Sequence, residues 1–346
     1  MNTLLQSIRI VGWWPMLRLL QAYRLSWPNL LGGFYTTRML QTLQNVGFFA
    51  EIQRSGRIDV EQFAAERRLD ACILRSICEA LFALRYLKRD GEGYQLDRRG
   101  MLFAAEAQGW FEGVYGYEEV FHKLEALLRG EIVYGRDIYR RPDFVARGSG
   151  EIEKKIFFPL AEEVIRRNNY RHVLDLGCGD ATFLRYLCTR NQDLCGFGVD
   201  IAPAAIAEGR DHTAEEGLSG RITLLVEDIA RLDQTPVELK GIDSGTIFFV
   251  LHELLYQSEL VVVEMLRSYR RLFPGAPLIV FEVIRPTPEM MRRRPGMAIY
   301  YTLQHDISHQ RLVDSATWRR LFQEAGFERI NERYLGFSRV AIFELQ

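Results

Sequence analysis

The chain has 346 residues, 48% of them hydrophobic and 26% charged, with a formal net charge of −1. That length suits about two domains with separate cores, and the near-neutral balance gives no electrostatic case for nucleic acid, which selects basic domains. No apolar run approaches the ~18 residues that cross a bilayer, no basic region followed by a long apolar core marks a secretory signal, and the five cysteines (Cys72, Cys78, Cys178, Cys188, Cys195) lack zinc-pair spacing, which predicts a reduced, cytoplasmic setting.

Residues 1–45 are aromatic and amphipathic, with Trp13, Trp14, Leu17, Leu20 and Tyr23 followed by Leu40, Leu43 and Val46. Such a face is too apolar to stay wet. It is expected to form a homodimer interface, with packing onto its own domain as the alternative. Asp59 reads as the N-cap of one helix. Asp70 to Arg85 reads as a second, with Ile73, Ile77, Leu81 and Leu84 on one face. Tyr86-Leu-Lys and Tyr94-Gln-Leu flank Asp90-Gly-Glu-Gly as a hairpin. Helices followed by a wing make a winged helix over residues 1–105. Such a domain could bind nucleic acid through Arg67, Arg68, Arg75, Arg85 and Lys88, but Glu61, Glu66, Asp70 and Glu79 interrupt any basic face. Residues 106–150 follow as a helical linker crowded with Trp110, Phe111, Tyr115, Tyr117, Phe121, Tyr134, Tyr139 and Phe144.

From residue 151 to 346 the pattern changes. His172-Val-Leu-Asp-Leu-Gly-Cys-Gly-Asp-Ala-Thr-Phe183 is an apolar strand, a glycine turn and a helix start, and Gly-Phe-Gly-Val-Asp200 is a second strand ending in a carboxylate. Gly177 and Gly179 let the backbone approach a ligand, and the helix start offers free N–H groups. A dinucleotide fingerprint wants a small residue where Thr182 stands, and Asp175 would repel a pyrophosphate; a carboxylate there suits a cation. Ile222–Val226 with Asp228, then Gly245–Leu251, then Pro277–Val283 read as further strands, and Arg339–Glu344 as a closing edge strand. Strands alternating with helical stretches predict an α/β, Rossmann-like, doubly wound parallel sheet with its ligand at the strands' carboxyl ends.

These residues resemble motif I and its successors in class I S-adenosylmethionine (SAM)-dependent methyltransferases, with Ala181 in place of the third glycine. The whole arrangement is similar to small-molecule methyltransferases that carry an N-terminal winged-helix dimerisation domain. The resemblance implies SAM as cofactor, a small-molecule substrate, and SAM contacts from Asp175, Gly177, Gly179, Asp200, Ile201, Asp228 and Ile229. Asp200 would take the ribose hydroxyls, Asp228 the adenine amino group, and Ile229 would pack on the ring. The helices of 106–150 would roof the substrate pocket.

His252, after the fourth strand, and His305, in Tyr300-Tyr-Thr-Leu-Gln-His-Asp-Ile-Ser-His309, are expected on loops beside the sulfonium. Two readings are open. Leu251-His-Glu253 resembles the His-Asp pair of O-methyltransferases, in which a neutral imidazole takes the acceptor's proton; this leaves His305 idle. Alternatively, His252 and His305 together hold Zn or Fe. The pair resembles metal-assisted 2-oxo-acid C-methyltransferases of the phenylpyruvate and 2-ketoarginine type, in which the ion acidifies the β C–H. The second reading is preferred because it uses both rings. Glu253 and Asp306 are then candidates for the base or for orienting the histidines, Arg136 for the substrate carboxylate, Arg147 for the SAM carboxylate, and Glu112, Glu118 or Glu119 for a cationic substrate tail.

Overall fold

The computed structural model describes residues 9–24, 27–234, 239, 241–336 and 338–346. The chain divides into two compact units, one running to Tyr115 and including Phe144–Gly148, the other made of Gly116–Asp143 and Ser149–Gln346. The aromatic stretch 106–150 is therefore shared between them.

In the first unit, the caps form where short polar side chains precede apolar runs. Asp59 accepts the Gln62 N–H at 2.9 Å and opens Val60–Arg67, and Asp70 accepts the Ile73 N–H at 3.0 Å and opens Ala71–Ala83. Strands β1 (Leu87–Asp90) and β2 (Gly93–Leu96) make the antiparallel wing. The buried stripe of Ala71–Ala83 is Leu74, Cys78 and Leu81, while Ile73 is 62% exposed. Ile73–Ile77–Leu81 and Leu74–Cys78–Leu81 both satisfy helical spacing, so the expected face is one residue out of phase. The helix Trp13–Arg24 and the start of Trp27–Asn45 keep Trp13 73%, Trp14 69%, Phe34 63% and Tyr35 65% exposed. These rings are not covered by their own domain.

The second unit is built on a seven-stranded sheet: β3 (His172–Leu176), β4 (Cys195–Asp200), β5 (Ile222–Val226), β6 (Ser244–Phe248), β7 (Leu278–Val283), β8 (Ile330–Leu335) and β9 (Val340–Leu345), in spatial order β5-β4-β3-β6-β7-β9-β8. β3 pairs in parallel with both β4 and β6. The chain winds outward through β4 and β5, then returns to the other side of β3, which creates a crevice at the carboxyl ends of β3 and β6. Helices cover both faces, so the central strands are mostly apolar, with Asp175, Thr246 and Glu282 among the buried exceptions.

The final strand departs from expectation. β9 is not the edge; it lies antiparallel between β7 and β8. Its sequence Val-Ala-Ile-Phe-Glu-Leu is buried along nearly its whole length, whereas β8, Ile-Asn-Glu-Arg-Tyr-Leu, is largely open. The polar alternation of β8 is what an edge strand tolerates, and it was the strand that lacked a continuous apolar run. Among the described residues no helix is long and apolar enough to cross a membrane.

One face of the sheet is closed by Glu259–Leu272 and Ser315–Glu324, where Trp318 is fully buried and stacks on Phe322. Truncating so large a side chain leaves a cavity that the sheet cannot collapse into. Trp318→Ala should therefore lose about 3–5 kcal/mol of stability, read as a lower urea midpoint with unchanged slope; a loss below ~1 kcal/mol would show that this face is not close-packed.

Candidate active site

At the end of β3 the chain must turn sharply to start the helix Thr182–Arg190. Gly177 does this at φ 78°, and an added Cβ would meet Val250 Cγ2 at 2.7 Å. Ala181 also takes a left-handed conformation, φ 62°, where the motif's usual glycine would be unstrained. Asp200, at the tip of β4, accepts the Gly179 N–H at 2.8 Å and the Ala202 N–H at 2.8 Å. It thus pins the glycine turn and keeps carboxylate lone pairs for a ligand. Asp175 is buried and takes the Thr246 hydroxyl at 2.7 Å. Burial pushes its carboxyl up to about 7, against the pull of Thr246 and with help from Asp200. A cation placed here would reverse that shift.

The other expected cofactor contacts separate. Asp228 caps its own loop through the Ala230 N–H at 2.9 Å. Ile201 is 67% exposed beside Asp200, free to cover an adenosine. Ile229 is 6% exposed and packs into the core beneath the sheet, because the loop folds its side chain inward. Arg147 belongs to the first unit, where it bonds Glu112 at 3.1 Å and lies over the Phe144 ring.

On the other side of the crevice stand the two histidines, on helices rather than on the expected loops. His252 lies in the first turn of Leu251–Gln257 and His305 near the end of Met297–Ile307. The rings are buried, with centres 5.1 Å apart. His252 Nδ1 meets Glu282 Oε2 at 2.9 Å, and its backbone N–H donates to Oε1 at 3.2 Å. His305 Nδ1 donates to the Tyr301 carbonyl at 2.8 Å, and the Tyr301 ring lies on the imidazole at 3.9 Å. A carboxylate and a carbonyl both accept, so in its neutral form each imidazole carries its proton on Nδ1 and keeps the Nε2 lone pair. Neither Nε2 has a hydrogen-bond partner among the described residues.

Glu282 is the residue that reading the sequence missed. It is fully buried in β7, Leu-Ile-Val-Phe-Glu-Val. The one signal was an acid inside an otherwise apolar central strand, which is uncommon unless paired. The two imidazoles differ electrostatically. Burial opposes charge on His252, but Glu282 outweighs it and raises the imidazole above its usual range. Burial, then the neighbouring His252, push His305 down to about 3, so it stays a neutral donor.

This arrangement fits a metal. Two imidazoles sharing one tetrahedral ion at about 2.1 Å have ring centres roughly 5 Å apart, and metal-binding histidines characteristically give their other nitrogen to a carboxylate or carbonyl. No group of three or more His, Cys, Asp and Glu forms a metal site among the described residues; further ligands would come from substrate or water.

The remaining candidates are engaged elsewhere. Glu253 accepts Arg140 at 2.7 Å and Gln310 at 2.6 Å, and Arg140 also donates to the Tyr117 hydroxyl at 3.1 Å. Asp306 faces outward in a two-pronged pair with Arg285 at 2.6 and 2.8 Å. Arg136 is exposed and forks onto Asp137, and Glu112 is held by Gln44 and Arg147. Asp306 and Arg136 are thus placed in local ion pairs rather than at the imidazoles. Glu153, on Pro142–Arg167, is half-buried, and no described group bonds its carboxylate.

Comparison with known proteins supplies the context. Residues 173–272 match the methyltransferase domain family. Over 313 residues the chain is 32% identical to the 2-ketoarginine methyltransferase of Streptomyces arginensis, spanning 87% of this chain and 88% of that one. It is 24% identical over 321 residues to methyltransferase ungE' of Aspergillus campestris, spanning 87% and 91%. Its fold matches that of the mitomycin 7-O-methyltransferase MmcR at a TM-score of 0.67 and 16% identity, across 95% of this chain and 99% of that one. The chain belongs to the class I SAM-dependent small-molecule methyltransferases.

Proposed function

We propose that this enzyme transfers the SAM methyl group to the β-carbon of a 2-oxo acid. The observation that carries the reading is the paired imidazoles, their Nδ1 atoms fixed by Glu282 and the Tyr301 carbonyl and their Nε2 atoms free. The relative named as a 2-ketoarginine methyltransferase supports it.

SAM binds in the crevice at the end of β3. Asp175 meets its positive charge, Gly177 and Gly179 admit it closely, Asp200 accepts the ribose hydroxyls, and Ile201 and Asp228 flank the adenine. Ile229 supports that wall from the core. His252 and His305 would hold a Zn or Fe ion, which would supply Lewis-acid polarisation of a 2-oxo acid. Glu282 fixes the tautomer and aim of His252, and Tyr301 does the same for His305. The bond between Arg140 and Glu253 removes that carboxylate from proton transfer.

The same His252–Glu282 pair supports a second reading. A carboxylate-backed imidazole is suited to take a phenol proton, as in a metal-free O-methyltransferase. That scheme gives His305 no task. The exposed rings at Trp13, Trp14, Phe34 and Tyr35 support a homodimer through the N-terminal helices, since an apolar face of this extent is stable in water only when covered.

SAM binding tests the pocket. The empty protein protonates Asp175 below a pKa of about 7, and a bound cation favours the ionised form, so calorimetric affinity should rise with pH through about 7 and level off above. Asp200→Ala should weaken binding by about tenfold or more, as loss of charge-assisted hydrogen bonds predicts; unchanged affinity would refute the assignment. For the imidazoles, elemental analysis should find Zn or Fe in the purified protein and none in His305→Ala. Glu282→Gln should weaken metal binding about 10–100-fold. Metal-free protein with full activity would leave the O-methyl reading.

A further inference from the structure

Glu153 is one helical turn before Phe157, so the two share a face of Pro142–Arg167. The Phe157 ring touches Phe249 at 5.1 Å and Phe281 at 6.0 Å. Phe249 follows β6 and leads to His252, and Phe281 lies in β7 on the face opposite Glu282, so this helix packs on the sheet beside the carboxyl ends of β6 and β7. Glu153 interacts electrostatically with Asp175 of the glycine turn and with Tyr301, whose ring lies on His305. The carboxylate is therefore within electrostatic reach of both the acid assigned to SAM and the helix assigned to the metal. The two acids considered for the base have partners, Glu253 in Arg140 and Gln310 and Asp306 in Arg285, and Glu282 is taken by His252. Among the described residues Glu153 has no such partner, and its half-buried carboxylate keeps its lone pairs open to a ligand.

We propose that Glu153 is the base that takes the proton from the β-carbon of the 2-oxo acid, an inference that rests on the reading above. The C–H electron pair becomes the enolate C=C bond, the carbonyl π pair moves to oxygen, and the proton passes to the Glu153 carboxylate. The enolate carbon then attacks the SAM methyl; the new C–C bond forms as the C–S bond breaks, and neutral S-adenosylhomocysteine leaves. Burial, then Asp175, push the Glu153 carboxyl up to about 8, which makes it basic enough to work near neutral pH.

The test separates the two steps. Full-length protein is incubated in D2O with S-adenosylhomocysteine and either 2-ketoarginine or phenylpyruvate, and loss of the β-proton signal is followed by NMR. Wild type should exchange well above the uncatalysed rate. Glu153→Gln should slow exchange by about 100-fold or more, while its SAM affinity by calorimetry stays within a few-fold, and Glu153→Asp should recover part of the exchange. Wild-type exchange rates in Glu153→Gln would overturn the assignment and leave the 2-oxo acid reading standing. A collapse of SAM affinity in that variant would overturn it too, making Glu153 a ligand of the cofactor's charge. If wild type neither exchanges nor methylates either acid, the substrate reading fails and takes the proposal with it.

Discussion

The hydrogen bond between His252 and Glu282 is the constraint on which the imidazole side of the crevice depends. A carboxylate in an interior strand of a largely apolar sheet is unfavourable unless it is paired. Glu282 is fully buried and accepts both the imidazole and the backbone N–H of the same residue. It thereby fixes the first turn of Leu251–Gln257 against β7 and aims the His252 Nε2 away from the sheet. His305 completes the pair from another helix, kept neutral by burial and by its neighbour. One ring is drawn toward charge and the other away from it, so the two present an asymmetric pair of nitrogen donors.

The opposite wall of the crevice follows from sheet topology. Because β4 and β6 both lie beside β3, the helices that follow them diverge and leave a gap at its carboxyl end. Asp175, the glycine turn and Asp200 line that gap. Asp200 holds the turn through the Gly179 N–H, so the same carboxylate shapes the loop and offers acceptors to a ligand. Burial raises the Asp175 carboxyl to about 7, and a positive charge beside it would relieve that cost, as a sulfonium cofactor does. Phe249 touches the helix of Glu153 through Phe157, and Tyr301 lies on His305.

Much of this was legible in the sequence, and the limits are physical. The glycine turn, Asp200 and the caps Asp59 and Asp70 depend on local backbone chemistry, and local signals identify them. The wing between β1 and β2 was readable for the same reason. His252 and His305 stood out as residue types, but their placement on helices was hidden because neither Leu251–Gln257 nor Met297–Ile307 opens on a capping side chain. Glu282 and Glu153 were silent: one looks like a blemish in an apolar strand, the other like an ordinary surface acid on a helix. Only the packing of β7 against His252, and of Pro142–Arg167 over Phe249, gives them meaning. The edge strand was misassigned because a buried apolar strand announces itself, whereas β8 alternates. Arg136 and Asp306 illustrate the converse, since both carry suitable chemistry and both are taken by a neighbour of opposite charge.

The destination of the methyl group decides whether the imidazole pair serves carbon or oxygen. SAM labelled with carbon-13 in its methyl group, incubated with the full-length protein and either 2-ketoarginine or phenylpyruvate, places the label where NMR can read the atom it is bonded to. The account predicts a labelled methyl on the β-carbon of one of these acids. Label found only as a methoxy group on a phenolic acceptor, with both 2-oxo acids left unchanged, would contradict it.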